Sequence, residues 1–497
     1  MTANQAPSGE LLLGAALPYA TLSRQRAAGN TVKLATGIHV RGASLPPEKL
    51  ADQHVWAIAE HFWPGAVITD RCSDGTIHQG WLFLAHPEPP RRADLVLPGL
   101  TISCRIGPGR QPGDQPYLGH QALFLAGTAR GLVENLATSG RPPKGRPTRA
   151  LGAVEVGNRI DALARRDGEA RVRQALTELD VIAGGFEPAP VATVRQLLRA
   201  LLGTAPTAEV ASPLLAARLS GEPYDEHRLS LFRRLAATLA RTAPAARPAL
   251  GEPSRWEWLA FFEAYFSNYI EGTVFSIDEA RDIAIGGQVP QARPQDAHDV
   301  SATYRLVHSD VEMSRVPRSA AELLELLTER HSVLMAARPD KRPGQFMQRP
   351  NTAGGYEFVH PDAVRGTLKA GFAVLAEISD PFHRAVMMMF LVAECHPFDD
   401  GNGRLARIMM NAELVSAGQV RVVIPTVYRG NYLAALSGMS NQAGAGESLI
   451  SVLDYTRQWV AAVDWTTWDG ARTDLETTHA TIDSALAEQT GQRLRLP

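Results

Sequence analysis

His396-Pro-Phe-Asp-Asp-Gly-Asn-Gly-Arg404, followed by Leu405-Ala406-Arg407, is the stretch on which the reading of this chain turns. It separates an apolar helical pattern, Pro381 to Glu394, from a second one running from Arg404 to Ser416. Gly401, Asn402 and Gly403 let the backbone reach φ > 0 and approach a ligand closely. The helix that follows offers unpaired N–H groups and the positive end of its dipole, an anion site. Arg404 and Arg407 lie three apart, on one face of its first turn, where both can grip phosphate oxygens. Asp400 is a hard oxygen ligand beside that site, as a Mg²⁺–polyphosphate complex requires. His396 titrates nearest neutrality and is the natural general base. A calcium loop fails, because placing Gly401 or Gly403 sixth puts His396 or Phe398 first. Zinc proteolysis needs a second His four residues along a helix, and none is there. A solvated polar turn between two helices remains as the bland alternative.

Working outward, helical periodicity dominates the second half of the chain. The pattern predicts helices over 255–270, 276–284, 294–312, 319–335 and 361–376 before the loop, and over 430–437, 448–463 and 473–487 after it. The exception is 342–359, whose Pro and Gly breaks and alternation around Gly354-Gly355 predict a β-hairpin. The first half mixes short strands (66–69, 80–85, 95–97, 101–106 and 122–125) with helices over 47–62, 127–137, 154–166, 169–179, 191–202 and 228–239. Leu11–Leu13, a helical pattern from Tyr19 to Leu34 and a strand over 36–41 suggest winged-helix grammar. The triple-proline run 242–253 reads as the main linker.

Composition bounds the class. With 45% hydrophobic and 21% charged residues in 497, the chain is neither disordered nor fibrous. The longest apolar run, Ala385 to Ala393, falls well short of the ~20 residues that span a bilayer. No membrane partner is expected. Three scattered cysteines (Cys72, Cys104, Cys395) form no framework, and no basic-apolar leader opens the chain, so a reducing, cytoplasmic setting is expected. Residues 1–150 carry 15 Lys+Arg against 10 Asp+Glu, the remainder 35 against 42. A nucleic-acid role is therefore admissible for the first part alone.

The nonapeptide matches HxFx[D/E]GNGR followed by xxR, and on it the chain is identified as resembling the Fic (filamentation induced by cAMP) family. The preceding apolar helix, the upstream hairpin and Tyr428–Leu436 (YRGNYLAAL) extend the resemblance over residues 255–465. It implies an all-α Fic fold with a β-hairpin flap, and transfer of AMP from Mg²⁺-bound ATP to a protein Ser, Thr or Tyr hydroxyl. His396 would be the base and Asp400 the Mg²⁺ ligand. Asn402 and the Gly401 and Gly403 amides would cradle the α-phosphate, while Arg404 and Arg407 hold the β- and γ-phosphates. Tyr432 would contact the adenosine. The hairpin around Gln345 and Phe346 would be the flap that docks the target by strand addition. Upstream, Ser267-Asn-Tyr-Ile-Glu271-Gly272 resembles the family's inhibitory [S/T]xxxE[G/N] motif, which implies an inhibitory helix over 255–272 whose Glu271 contacts Arg407.

The first half resembles AbiEi-type (type IV) antitoxins through 21–42 and 127–137, which implies an α+β half with a winged helix and Arg24, Arg26, Lys33 and Arg41 as DNA-phosphate contacts. The expected layout is a winged helix at 1–65, an α+β domain at 66–205, a helical linker at 206–250, the Fic domain at 251–465 and a helical tail at 466–497. A homodimer is compatible with it. Two rivals stand beside the adenylyltransferase. One is a Fic enzyme that uses another nucleotide or removes AMP. The other is a DNA-binding regulator whose Fic part senses nucleotide, for which an intact His396 would be superfluous.

Overall fold

The structure is a computed structural model that describes residues 9–14, 30–42, 44–89, 92–137, 142, 144–206, 210–243, 256–441 and 446–497. It divides into two units, Met1–Gly221 and Glu222–Pro497.

In the first unit, β1 (Glu10–Leu13), β2 (Thr31–Ala35) and β3 (Ile38–Arg41) form an antiparallel sheet in the order β1-β3-β2. Thr31–Leu34, expected to finish a helix, are strand instead. Their β-branched residues pair with β3 across a turn at Gly37, whose φ of 79° suits glycine. The rest of that expected helix, with Arg24 and Arg26, lies outside the described residues. Helix α1 (Pro47–Phe62) leads into β4 (Ala66–Ile68), β5 (Trp81–His86), β6 (Asp94–Leu97), β7 (Leu100–Ile106), β8 (Gln115–Pro116) and β9 (Leu123–Leu125). These form one mixed sheet, β6-β7-β5-β4-β9-β8, in which β5–β7 and β4–β9 are parallel. Leu34 and Val40 share a core with Val55, Ile68 and Leu84. No core boundary falls at residue 65.

Helices α2 (Thr128–Leu136), α3 (Ala153–Ile182), α4 (Pro188–Leu201) and α5 (Pro213–Leu219) build a second core around Leu132, Ile160, Leu179 and Leu198. α3 joins two expected helices across a kink at Gly168, where φ is 72°. Between sheet and α2, Arg105 and Arg149 bind Asp70, and Arg130 pairs with Asp114 and Glu134.

The second unit begins with α6 (Glu226–Arg241), so the expected linker at 206–250 is divided: α5 packs in the first unit, while Phe232 and Leu235 of α6 enter the core of the second. There follow α7 (Leu259–Ile270), α8 (Ile277–Ala284), α9 (Pro294–His308), α10 (Asp310–Met313) and α11 (Ala320–Leu334). Ser309 ends α9 early by accepting the Glu312 N–H as the cap of α10. Next come β10 (Thr352–Ala353), β11 (Tyr356–Glu357), α12 (Val364–Ala376), α13 (Pro381–Cys395), α14 (Asn402–Ser416), α15 (Arg429–Asn441), α16 (Glu447–Ala462), α17 (Trp468–Thr477) and α18 (Ser484–Thr490).

α13 is the central helix. Every residue from Ala385 to Val392 is 0% exposed, which is why its face shows no amphipathic pattern. Among the described residues no helix is long and apolar enough to cross a membrane. The expected helix at 473–487 is broken after Thr477, and Asp483 caps α18. This segment is more than a tail. Ala471, Leu475 and Leu494 share a core with Phe262 and Phe266 of α7.

Candidate active site

α13 stops because His396 takes the left-handed conformation, φ 47° and ψ 55°. The chain then loops, and α14 starts behind Gly401, also left-handed at φ 75°. A Cβ on Gly401 would lie 2.8 Å from Met335 Sδ, so this position admits no larger residue without movement. Asn402 closes the loop. Its Oδ1 accepts the Phe398 N–H (2.9 Å) and its Nδ2 donates to the Phe398 carbonyl (2.7 Å). The buried carboxamide is thus occupied by the loop. At the start of α14 the Asn402 and Gly403 amides lack a partner within the helix and can take an anion, whereas the Gly401 N–H donates to Asp400.

Arg404 is also turned inward. Its Nη1 lies 2.9 Å from Asp299 Oδ2, its Nη2 stands 4.0 Å from Asp400 Oδ1, and its Nε has no hydrogen-bond partner among the described residues. Asp299, on α9, also binds Arg338 at 2.8 Å. Asp400 accepts the Gly401 N–H at 2.6 Å while its side chain is 44% exposed. Its neighbour Asp399 is held by Arg342 through two hydrogen bonds, 2.8 and 2.9 Å. Among the described residues no group of three or more acidic, His or Cys side chains could hold a metal by itself.

Arg407 meets the upstream segment. Its Nε donates to Ser267 Oγ (3.0 Å), and its Nη2 donates to the Ser267 carbonyl (2.8 Å) and to Glu271 Oε1 (2.7 Å). Burial works against the guanidinium charge, yet the adjacent Glu271 holds its pKa above the usual value. The Glu271 carboxylate also covers Gly403: a Cβ there would lie 2.2 Å from Glu271 Oε1. Gly272 ends the helix at φ 88°. α7 is anchored below by Glu263, which accepts from Asn411 (2.8 Å) and Arg421 (2.7 Å). Asn268 lies within 3.5 Å of Arg404 Nη1. From the C-terminal segment, Asp483 accepts the Tyr269 hydroxyl at 2.9 Å.

Tyr432 is 1% exposed, its hydroxyl 3.5 Å from Met389 Sδ, and burial raises its pKa. It is buried beside Arg407, with which its hydroxyl is also hydrogen-bonded. Gln345 and Phe346 precede the hairpin proper, which is β10 and β11 joined at Gly354-Gly355. The Arg342–Gly344 turn, with φ of 49° and 73°, interrupts what the pattern suggested was one longer hairpin. Phe346 stacks on Phe398, ring centroids 5.2 Å apart, and Gln345 is exposed.

Sequence reasoning missed His331. It is fully buried on α11, accepts the Gly344 N–H at Nδ1 (2.9 Å) and contacts the Asp400 carbonyl through Nε2 (3.1 Å). That pattern makes Nε2–H the donor. Burial pushes its pKa down to about 4, so it stands neutral. Its ring lies 3.8 Å from Phe398. It therefore ties α11, the base of the flap and the loop together. Burial also lowers the pKa of His396, opposed by a hydrogen bond to the Ala393 backbone and by the Glu271 and Asp400 charges.

Residues 322–414 match the Fic/DOC family. They are a Fic domain. Among curated relatives, this chain is 26% identical over 250 residues to protein adenylyltransferase Fic of Drosophila willistoni, covering 48% of this chain and 49% of that one. It is 25% identical over 181 residues to protein adenylyltransferase fic-1 of Caenorhabditis elegans, covering 35% and 36%. The chain thus spans about half or less of the length of these relatives. Solved structures similar to it include C. elegans Fic-1 (TM-score 0.34, 18% identity, 66% of this chain and 87% of that one). Another is a Fic domain containing signaling protein from Bacteroides thetaiotaomicron (TM-score 0.34, 19% identity, 51% and 98%).

Proposed function

We propose that this chain is a protein adenylyltransferase that moves AMP from ATP to a Ser, Thr or Tyr hydroxyl of a target protein and restrains itself through Glu271. The observation that carries this reading is one short loop that sets His396 beside the anion-binding start of α14, inside a Fic domain. In the reaction, the target hydroxyl gives its proton to His396 as its oxygen bonds to the α-phosphorus. The Pα–O bond to the β-phosphate breaks, and pyrophosphate leaves. The Asn402 and Gly403 amides hold the α-phosphate, the Gly401 amide being spent on Asp400, while Arg407, once Glu271 leaves it, and the buried Arg404 supply positive charge for the distal phosphates. Positioning and preorganised charge supply most of the acceleration.

Asp400 suits Mg²⁺, a cation that characteristically takes one or two carboxylates and completes its shell with phosphate and water. One of its oxygens is spent on Gly401 and the group is accessible, whereas Asp399 is claimed by Arg342. Mg²⁺ there would neutralise phosphate charge. β10 and β11 present a short strand edge to which a target segment can add.

The restraint rests on Glu271 occupying Arg407 and the surface of Gly403 together. A γ-phosphate must displace it or bind out of line. The test is incorporation from ATP, GTP, CTP and UTP, each labelled on the α-phosphate, by wild type and Glu271→Gly. Label from ATP alone, rising in the variant, is expected; no label from any nucleotide overturns the reading. The same carboxylate suggests a second activity, orienting water to remove AMP, which loss of label from a modified target on adding wild type would reveal.

The first unit's proposed partner is DNA. Lys33 is exposed on β2, whereas Arg41 is paired with Glu10. A salt-dependent mobility shift of the full chain, weakened by Lys33→Glu, tests this.

A further inference from the structure

We propose that Phe358 is a positioning residue for His396: its ring, carried by the flap, fixes the imidazole plane without covering the ring nitrogens. The inference rests on His396 being the base. Phe358 and His396 are stacked, with centroids 3.9 Å apart and planes 13° from parallel. Phe358 is only half-buried and belongs to none of the hydrophobic clusters of its unit, so filling the core does not account for it.

The flap that carries it is fastened to the catalytic loop at several points. Met347 N–H donates to the Pro397 carbonyl (2.8 Å), and Asn351 Nδ2 donates to the Phe398 carbonyl (2.7 Å). The Phe358 N–H in turn donates to the Asn351 carbonyl (3.0 Å). On the other side, Tyr356 meets the ring of Phe358 edge to face at 5.5 Å, and its hydroxyl donates to Glu394. Glu394 stands two residues before His396 on the last turn of α13, where Ser440 (2.6 Å) and Arg228 (2.9 Å) also hold it. The base and the ring that covers it are therefore pinned to one helical turn. A histidine side chain retains rotation of its ring about χ2. A parallel ring against its face stops that rotation without covering the ring nitrogens, one of which is hydrogen-bonded to the Ala393 backbone and the other left to take the hydroxyl proton. The same cover excludes water, consistent with the burial that lowers the pKa of His396 against the Glu271 and Asp400 charges.

The experiment uses the full chain with isotopically labelled histidine, the His396 signals being assigned by their loss in His396→Ala. Phe358→Ala should move these signals out of the ring-current field of Phe358 and shift their titration midpoint up toward about 6.5, the ordinary value. In the Glu271→Gly background it should lower kcat on the order of ten-fold, with KM for ATP within about two-fold. Phe358→Tyr, which keeps the ring, should restore the signals and most of the rate. Should Phe358→Ala not fold, Phe358→Leu against Phe358→Tyr carries the same comparison of resonance position and kcat. Unchanged His396 signals in the ring-less variant, or changed signals with unchanged kcat, overturn the proposal. If no protein incorporates nucleotide, the adenylyltransferase reading fails, and unmoved signals would still overturn the Phe358 proposal on their own.

Discussion

Glu271→Gly should raise nucleotide incorporation about 10- to 10²-fold, and the scale can be worked from the contacts. The substitution deletes one charge-assisted hydrogen bond, 2.7 Å, from a buried arginine to a carboxylate whose side chain is 33% exposed. A hydrogen bond to a charged group contributes about 1.5–3 kcal/mol, and partial exposure favours the lower part of that range. Arg407 does not become an orphan, because the Ser267 carbonyl and hydroxyl keep two of its N–H groups. The closed state therefore loses its preference without a compensating loss of fold. At about 1.36 kcal/mol per factor of ten, the competent fraction rises by the stated range. Removing the carboxylate also uncovers Gly403, at the proposed phosphate site. Glu271→Asp, one methylene shorter, should fall between the two. The assay follows protein-bound label from α-labelled ATP in wild type, both variants and Glu271→Gly/His396→Ala, the last remaining silent. Equal incorporation by wild type and Glu271→Gly would refute the argument and leave Ser267–Gly272 as an ordinary helix end.

His396→Ala, in the Glu271→Gly background, should cost about 10²- to 10⁴-fold in rate while ATP binding, followed by calorimetry, changes little. The rate should fall as pH drops through the His396 value, with a midpoint below about 6.5, because burial lowers its pKa and only the neutral ring accepts a proton. The sign for stability agrees: the unfolded chain binds this proton first, so the contribution is complete above about 6.5 and declines below it. A rate profile with its acid limb above that value would contradict the placement. His331→Leu should cost about 1–3 kcal/mol for each of the two backbone groups it orphans, at Gly344 and Asp400, seen as a lower denaturant midpoint.

Much of this site was legible because its residue types are unusual for their setting. A generic helix connection has no need of His396, Asp400, Asn402, Arg404 and Arg407 together, so the loop stood out. Ser267 and Glu271, four apart, share a helix face, which made their joint approach to one arginine readable. Asp299, His331 and Phe358 left no such trace. Each comes from an element far along the chain and acquires its role only when α9, α11 and the flap close on the loop. His331 in particular resembles a lone histidine on an apolar helix face. Turn signals misled at the flap because Gly344 and Gly354-Gly355 both punctuate the pattern, and only the second joins paired strands. In the first half, alternating strands read correctly where one face was buried. Thr31–Leu34 did not, since helical spacing and strand alternation overlap over so short a run.

The two arginines of the loop are held in ways that decide where control can act. Arg404 and Asp299 are 3% and 2% exposed, and Asp299 is shared with Arg338. Parting them strands charge in the interior, at about 3–5 kcal/mol. Arg407 is equally buried, but its partner Glu271 sits at a helix end beside Gly272, partly in water, and can leave at small cost. Only the second pair can be opened by an ordinary ligand or partner. Asp299→Ala should therefore cost about 3–5 kcal/mol of stability, seen as a lower denaturant midpoint, without raising incorporation, since it orphans Arg404 and leaves the Glu271–Arg407 contact in place. Glu271→Gly should do the reverse, raising incorporation while costing no more than its single contact contributes, about 1.5–3 kcal/mol. Comparing denaturant melts and label incorporation for the two variants separates these roles, and an Asp299→Ala protein that is stable and more active would show that restraint lies on α9 rather than at the end of α7.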